Sequence, residues 1–250
     1  MISHGRRQNL TYSVAEDIGI AIVTGSYSKK NPFPVEGKLC KQYGVSRSVL
    51  REAVKLLTAK GLLGSRPRQG TWVQEKERWN RLDPDVLRWI LEQNFSFSLL
   101  IEFTELRLAV EPKAAALAAV AAGPAQRKSV LQAIHAMIES ERLEEDPLEP
   151  DIGFHVAIMR ASGNMFYAQL GELIETALRF SIRMTIRQTG IRSVNEHKKI
   201  SDAILARDAR QAEVAMQALI LAALDQIKKA EAAGFPRARA RRPKKSVARK

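Results

Sequence analysis

Residues 38–63 read KLCKQYGVSRSVLREAVKLLTAKGLL, and their punctuation decides the fold of the first third of the chain. Gly44 interrupts two helical patterns, one over 35–43 and one over 47–60. Ser46 stands where the second helix needs a cap, and Gly61 closes it. Val49, Leu50, Ala53, Leu56 and Leu57 recur at three- and four-residue spacing, one apolar stripe on the second helix. Val45, Leu50 and Val54 are placed to anchor that helix on the first. Upstream, residues 14–24 (VAEDIGIAIVT) space Val14, Ile18, Ala21 and Ile22 as a further helix after Ser13. Gly25 and a Ser/Lys/Asn/Pro cluster through Pro34 end it. Downstream, LLGSRPRQGTWV reads as two short strands around a Pro/Gly turn. Three helices and then a small hairpin make a winged helix-turn-helix over residues 1–74.

This arrangement leaves Ser46, Arg47, Ser48 and Arg51 at the exposed N-terminal end of the helix after the turn. Free N–H groups and positive potential there suit a phosphate, and this end of such a helix meets base edges in the major groove. Arg47 is the candidate for a bidentate contact to guanine; Ser46, Ser48 and Arg51 hold or flank phosphate. The hairpin tip carries Arg66, Arg68, Gln69 and Gly70, built to lie along a nucleic-acid backbone or minor groove. One arginine alone would equally be a solvated face. The set, inside a complete three-helix-plus-wing pattern, points to double-stranded DNA. Glu52 reads as a structural ion-pair partner.

Charge follows the same division. The 250 residues carry a net +13, but residues 1–74 hold 12 basic and 4 acidic side chains, and residues 237–250 hold 8 basic and none acidic. The stretch between is slightly acidic. A basic head and tail around an acidic body describe a polyanion-binding unit joined to something else. The single cysteine, Cys40, excludes an intramolecular disulfide and fits a reducing compartment. No apolar run is long enough to span a membrane, and the first residues lack the apolar core of a signal peptide, so the expected setting is cytoplasmic.

Residues 75–84 (EKERWNRLDP) show no clear period and read as a linker whose tryptophan packs somewhere. Residues 85–234 are helical almost throughout, punctuated by Gly123-Pro124, Gly163-Asn164 and Gly190, without alternating strands or a fixed repeat. The expected fold is therefore mostly α, a winged helix-turn-helix followed by an antiparallel all-α helical bundle. Residues 235–250 are too charged to fold and read as a disordered basic tail. Within the bundle, DIGFH sets Asp151 and His155 four apart on one helix face, and EHKKI adds His197 on a later helix. One carboxylate and two imidazoles suit a divalent transition metal such as Zn, Ni or Mn. An Asp cap and a partly buried His explain the same residues. Arg107, inside the bundle, needs an anion, either a ligand carboxylate or Glu111 four residues on. Arg183 is a second cation on an otherwise apolar helix.

The head resembles the N-terminal domain of the GntR superfamily of bacterial transcription regulators. The VSR-x-x-L-REA-x-x-L core, the following GLL and the R-x-x-x-G-T-x-V wing all stand in place. Gly37 replaces a usual basic residue, with Lys38 a substitute. The order TELRLAVEPKAAALAA, D-x-x-x-H, SGN and EH-x-x-I-x-x-AI is similar to the FCD effector domain of the FadR branch, and the likeness covers about residues 10–230. It implies a metal held by Asp151, His155 and His197, with Leu219 where a third histidine is usual, and an effector carboxylate met by Arg107 and Arg183. RWNRLDPDVLRWILEQN is similar to the subgroup of sugar-acid repressors that includes the galactonate-responsive one. The implied protein is a homodimer that binds a palindromic operator and leaves it when a sugar acid binds. The alternatives are a metal-dependent enzyme acting on a small carboxylate and a non-specific DNA-binding protein.

Overall fold

The computed structural model describes residues 10–28, 30–66, 68–189 and 194–233, the side chains of 183–189 excepted. The expected basic tail lies outside these. The chain divides into two compact units between Asn94 and Phe95.

The first unit opens with α1 (Leu10–Val23), α2 (Glu36–Tyr43) and α3 (Arg47–Ala59). Gly44 takes the left-handed conformation at φ 65° that the α2–α3 turn requires, a region costly for residues bearing a Cβ. Ser46 caps α3, its hydroxyl accepting from the Val49 amide at 3.4 Å. Of the expected stripe, α3 buries Leu50, Ala53 and Leu57, while Leu56 stays 40% exposed at its margin. Strands β1 (Leu63–Arg66) and β2 (Gly70–Val73) form an antiparallel hairpin in which Gly64 faces Trp72 and Arg66 faces Gly70. A Cβ on Gly64 would meet the Trp72 indole at 2.5 Å, so the glycine makes room for that ring.

The charged stretch after the hairpin is tied down. Trp79 is buried in the head's core, and its indole N–H donates to the Gln74 carbonyl at 3.1 Å. Next comes α4 (Pro84–Gln93), capped by Asp83. Residues 85–94, expected to open the bundle, belong instead to the head, where Val86 and Trp89 join the core of α1 and α3. Trp89 is fully buried against Gly19, where a Cβ would stand 2.3 Å from the indole. Asp85 accepts from the Tyr12 hydroxyl and from Lys60. Burial alone would raise its pKa, but these two partners and Arg88 hold it below the ordinary carboxylate range.

The second unit comprises α5 (Phe97–Ala121), α6 (Pro124–Arg142), α7 (Leu148–Ala161), α8 (Met165–Thr189), α9 (Val194–Leu205) and α10 (Ala209–Ala232). Helix α5 buries Ala114, Ala115, Ala118 and Ala119, small side chains that let another helix approach closely. Its most extensive neighbour is α10. Helix α6 stops at Arg142, and Glu144 takes a left-handed φ of 55° in the turn that follows. Helix α7 starts at Leu148, three residues before Asp151, so this aspartate lies in the first turn and is not the cap. Helix α7 packs on α5, α6 and α8, and α9 on α5, α6 and α10. Among the described residues no helix is long and apolar enough to cross a membrane.

All three tryptophans of the chain, Trp72, Trp79 and Trp89, lie in the first unit. Replacing Trp89 by Ala is expected to destabilise that unit by about 3–5 kcal/mol, the cost of emptying a large buried ring site. Urea unfolding followed by fluorescence of Trp72 and Trp79 reads this unit alone; a midpoint unchanged from wild type would contradict the packing.

Candidate functional site

At the N-terminal end of α3, Ser46, Arg47, Ser48 and Arg51 are all exposed, as is Lys38 on α2. The Ser46 and Ser48 hydroxyls lie 2.8 Å apart, which fixes their orientation beside the free amides of the first turn. The Arg51 Nε donates to Glu36 at 3.2 Å, a surface pair worth little in stability. Lys55 pairs with Glu52 at 2.7 Å, the structural role expected for that glutamate. Arg47 makes no ion pair or side-chain hydrogen bond among the described residues and stands exposed.

At the hairpin tip the Arg66 guanidinium sits 5.9 Å from the Trp72 ring. The Gln69 amide donates to the Arg66 carbonyl at 3.2 Å and closes the turn. Arg68 has φ 65°, a conformation costing a residue with a Cβ roughly 1–2 kcal/mol. Gly70, at φ 83°, has nothing within 4 Å of where a Cβ would be, so its backbone is open to close approach. Strain retained under an exposed arginine is physically consistent with a side chain aimed at a partner.

Inside the second unit, α5, α7 and α9 bring a polar cluster into an otherwise aliphatic interior. Arg107 and Glu111 are 4% and 1% exposed, and the guanidinium donates through Nε at 2.5 Å and through Nη2 at 3.4 Å. The other face of the same carboxylate lies 2.5 Å from His155 Nδ1. Burial by itself would raise the Glu111 pKa, but Arg107 and His155 beside it bring it down to about 2. Glu111 is thus an anion that fixes His155.

In the neutral ring, an Nδ1–H donated to Glu111 leaves the Nε2 lone pair for a metal. His155 Nε2 lies 3.5 Å from Asp151 Oδ1, and His197 Nε2 stands 3.8 Å from the same oxygen. The three donor atoms lie within 4.8 Å of one another. The two imidazoles meet edge to face with centroids 5.4 Å apart, and Phe154 packs on the His197 ring at 5.1 Å. Two nitrogen donors and a carboxylate oxygen, with a second carboxylate orienting one imidazole from behind, fit a divalent transition metal.

Of the residues predicted from sequence, Asp151, His155 and His197 converge. Arg107 is engaged by Glu111, one of its two anticipated partners. Leu219 is 9% exposed on α10. The Arg183 side chain lies outside the described residues. What sequence reading missed is Glu111 as the partner of His155. The four-residue step from Arg107 signals their pairing, but nothing in the sequence links positions 111 and 155.

An exposed basic helix end with a hairpin beside it, and a buried polar cluster in a helical unit, define a DNA-binding protein with an internal ligand site. The family comparison agrees at both places. Residues 10–73 match the bacterial regulatory proteins of the gntR family, and residues 102–236 match the FCD domain. The chain belongs to the GntR family and is a transcription regulator of the FCD type, not an enzyme. It is 35% identical to the uncharacterized HTH-type transcriptional regulator YieP of Escherichia coli K12, over 86% of this chain and 94% of that one. It is 31% identical to the galactonate operon transcriptional repressor of the same organism, over 88% and 97%. The solved structure of Lar, described as controlling the Listeria monocytogenes agr system, shares the fold at TM-score 0.57 and 17% identity, over 90% and 99%.

Two substitutions examine these sites. Arg68→Gly relieves the positive φ, so stability should hold or rise by about 1 kcal/mol while DNA affinity falls and its logarithmic salt slope drops by about one. Titrations at several salt concentrations read both. Glu111→Gln removes the charge that orients His155, and calorimetry with Zn or Ni should show affinity about 10–100-fold lower.

Proposed function

We propose that the protein is a repressor of a sugar-acid, aldonate-type catabolic operon, released from its operator when a carboxylate effector enters the second unit. The observation that carries this reading is the cluster of buried Arg107, Glu111, His155 and His197 with the half-buried Asp151 inside an aliphatic bundle. Charged groups are seldom so buried unless paired, and ionisable clusters of this kind concentrate at functional sites. The likeness to the galactonate operon repressor supports the choice of a sugar acid.

In this reading Asp151, His155 and His197 hold a divalent transition metal, which when bound supplies a Lewis-acid anchor for the effector carboxylate. Glu111 keeps the proton of His155 on Nδ1 and so presents Nε2 as a ligand. Arg107 contributes its Nη2, the more loosely held of its two bonds to Glu111, to the effector, and Arg183 is the second clamp. The head binds as a homodimer to a palindromic operator, because one recognition helix reads too few base pairs for specificity. Arg47 takes a base edge; Lys38, Ser46, Ser48, Arg51 and the wing residues Arg66, Arg68, Gln69 and Gly70 hold phosphate or groove. The basic residues 235–250 add sequence-independent affinity. Such a regulator works in the cytoplasm.

A thermal-shift screen of aldonic acids, each with and without Zn, Ni or Mn, tests the ligand class. A shift requiring both metal and acid is the expected result; no shift with any acid would remove the sugar-acid assignment. Arg47→Ala should cost about 1–3 kcal/mol of operator binding with the fold intact. Arg107→Ala should bind the operator normally yet fail to release it when effector is added, as read by gel shift.

A further inference from the structure

Two hydroxyls buried in the second unit turn back on their own helices. Thr104 donates to the Leu100 carbonyl at 2.7 Å, and Ser162 to the Met159 carbonyl at 2.7 Å. Such bonds satisfy a helical Ser or Thr locally. Ser201, on α9, does otherwise. It is 1% exposed, and its Oγ is buried without a hydrogen-bond partner among the described residues. The carbonyl four residues back, that of His197, is within the usual reach of a helical serine yet is not bonded. The other buried side chains of α9 are Val194, His197, Ile200, Ala203 and Ile204. A hydroxyl taken out of water and left unbonded among such neighbours costs stability that an alanine would not.

The place of Ser201 on the helix supplies a reason for that cost. It follows His197 by four residues, so the two side chains share one face of α9, their Cβ atoms about 5–6 Å apart. His197 Nε2 belongs to the donor cluster with Asp151 and His155. The unbonded hydroxyl therefore stands one turn from that cluster, toward the C-terminal end of α9. A hydroxyl both donates and accepts, and so does the hydroxyl of a ligand. A bare alkyl chain in the same place would leave Ser201 unbonded.

We propose that Ser201 is a specificity-determining residue of the effector site, bonding a hydroxyl of an acid whose carboxylate is held at Asp151, His155 and His197. The inference rests on the reading of the second unit as a sugar-acid site, and it names the group that separates a hydroxy acid from an unsubstituted one. A site built to bond a hydroxyl rejects the analogue lacking it, because the site's own polar group is then left unpaired.

Calorimetry on the full chain loaded with Zn tests this, with galactonate, gluconate and xylonate as probes and the monodeoxy analogues of whichever binds most tightly. Ser201→Ala should bind that acid about 10–100-fold more weakly than wild type, with its affinity for Zn unchanged. The analogue lacking the bonded hydroxyl should bind both proteins alike, a result that a purely structural serine would not give. Without ligand, Ser201→Ala should unfold in urea at a midpoint equal to or above that of wild type, as read by circular dichroism, because it removes an unbonded polar atom. Equal affinity of the two proteins for the acid, an equal loss for every analogue, weaker Zn binding or a lower midpoint would each overturn the role. If none of the acids binds wild type, the sugar-acid reading itself fails, and this role with it.

Discussion

A carboxylate removed from water must find positive charge or hydrogen-bond donors, and Glu111 meets that requirement on both its faces. Arg107 donates to both oxygens, and His155 meets Oε2, the one that Arg107 holds more loosely. The arrangement of the second unit's interior follows from this. With its Nδ1 turned toward Glu111, His155 sets its Nε2 near an Asp151 oxygen, and His197 comes to the same oxygen from α9. Remove the carboxylate and the imidazole loses its orientation, while the guanidinium becomes an uncompensated buried charge.

The first unit solves an opposite problem. Its functional groups must stay in water, so the fold holds backbone in place and leaves side chains free. Gly44 sets the turn, Ser46 caps α3, and Leu50 and Leu57 pin the helix from beneath. Arg47 and Ser48 stay exposed because they lie off the face of α3 that carries Leu50, Ala53 and Leu57. At the wing tip, Arg68 keeps a left-handed backbone that a glycine would adopt at less cost. The two units thus use arginine in contrasting ways, locked in Arg107 and presented in Arg47.

Much of the fold was legible because its signals are local. Periodicity at three and four residues marked the helices, and glycines marked their ends; α2 and α3 fall within a residue of their expected bounds. The metal-type cluster was legible in part. Asp151 and His155 share a helix face by spacing alone; His197 was a donor on a later helix, and the resemblance to the FCD domain joined the three as one site. Two features escaped. Residues 85–94 read as the bundle's first helix, since periodicity gives an amphipathic helix but not the surface it covers. Glu111 read only as a partner for Arg107, since its contact with His155 spans 44 residues of chain.

The sequence by itself determined the order of elements, the basic helix end, the family and three potential metal ligands, because each depends on neighbours within a few residues or on a motif carried whole. Tertiary structure alone decided that α4 belongs with α1 and α3, and that Glu111 sets which nitrogen of His155 is available. Both outcomes depend on which surfaces meet: an indole fits only where Gly19 leaves space, and a buried charge settles beside whichever partner the packing brings within reach.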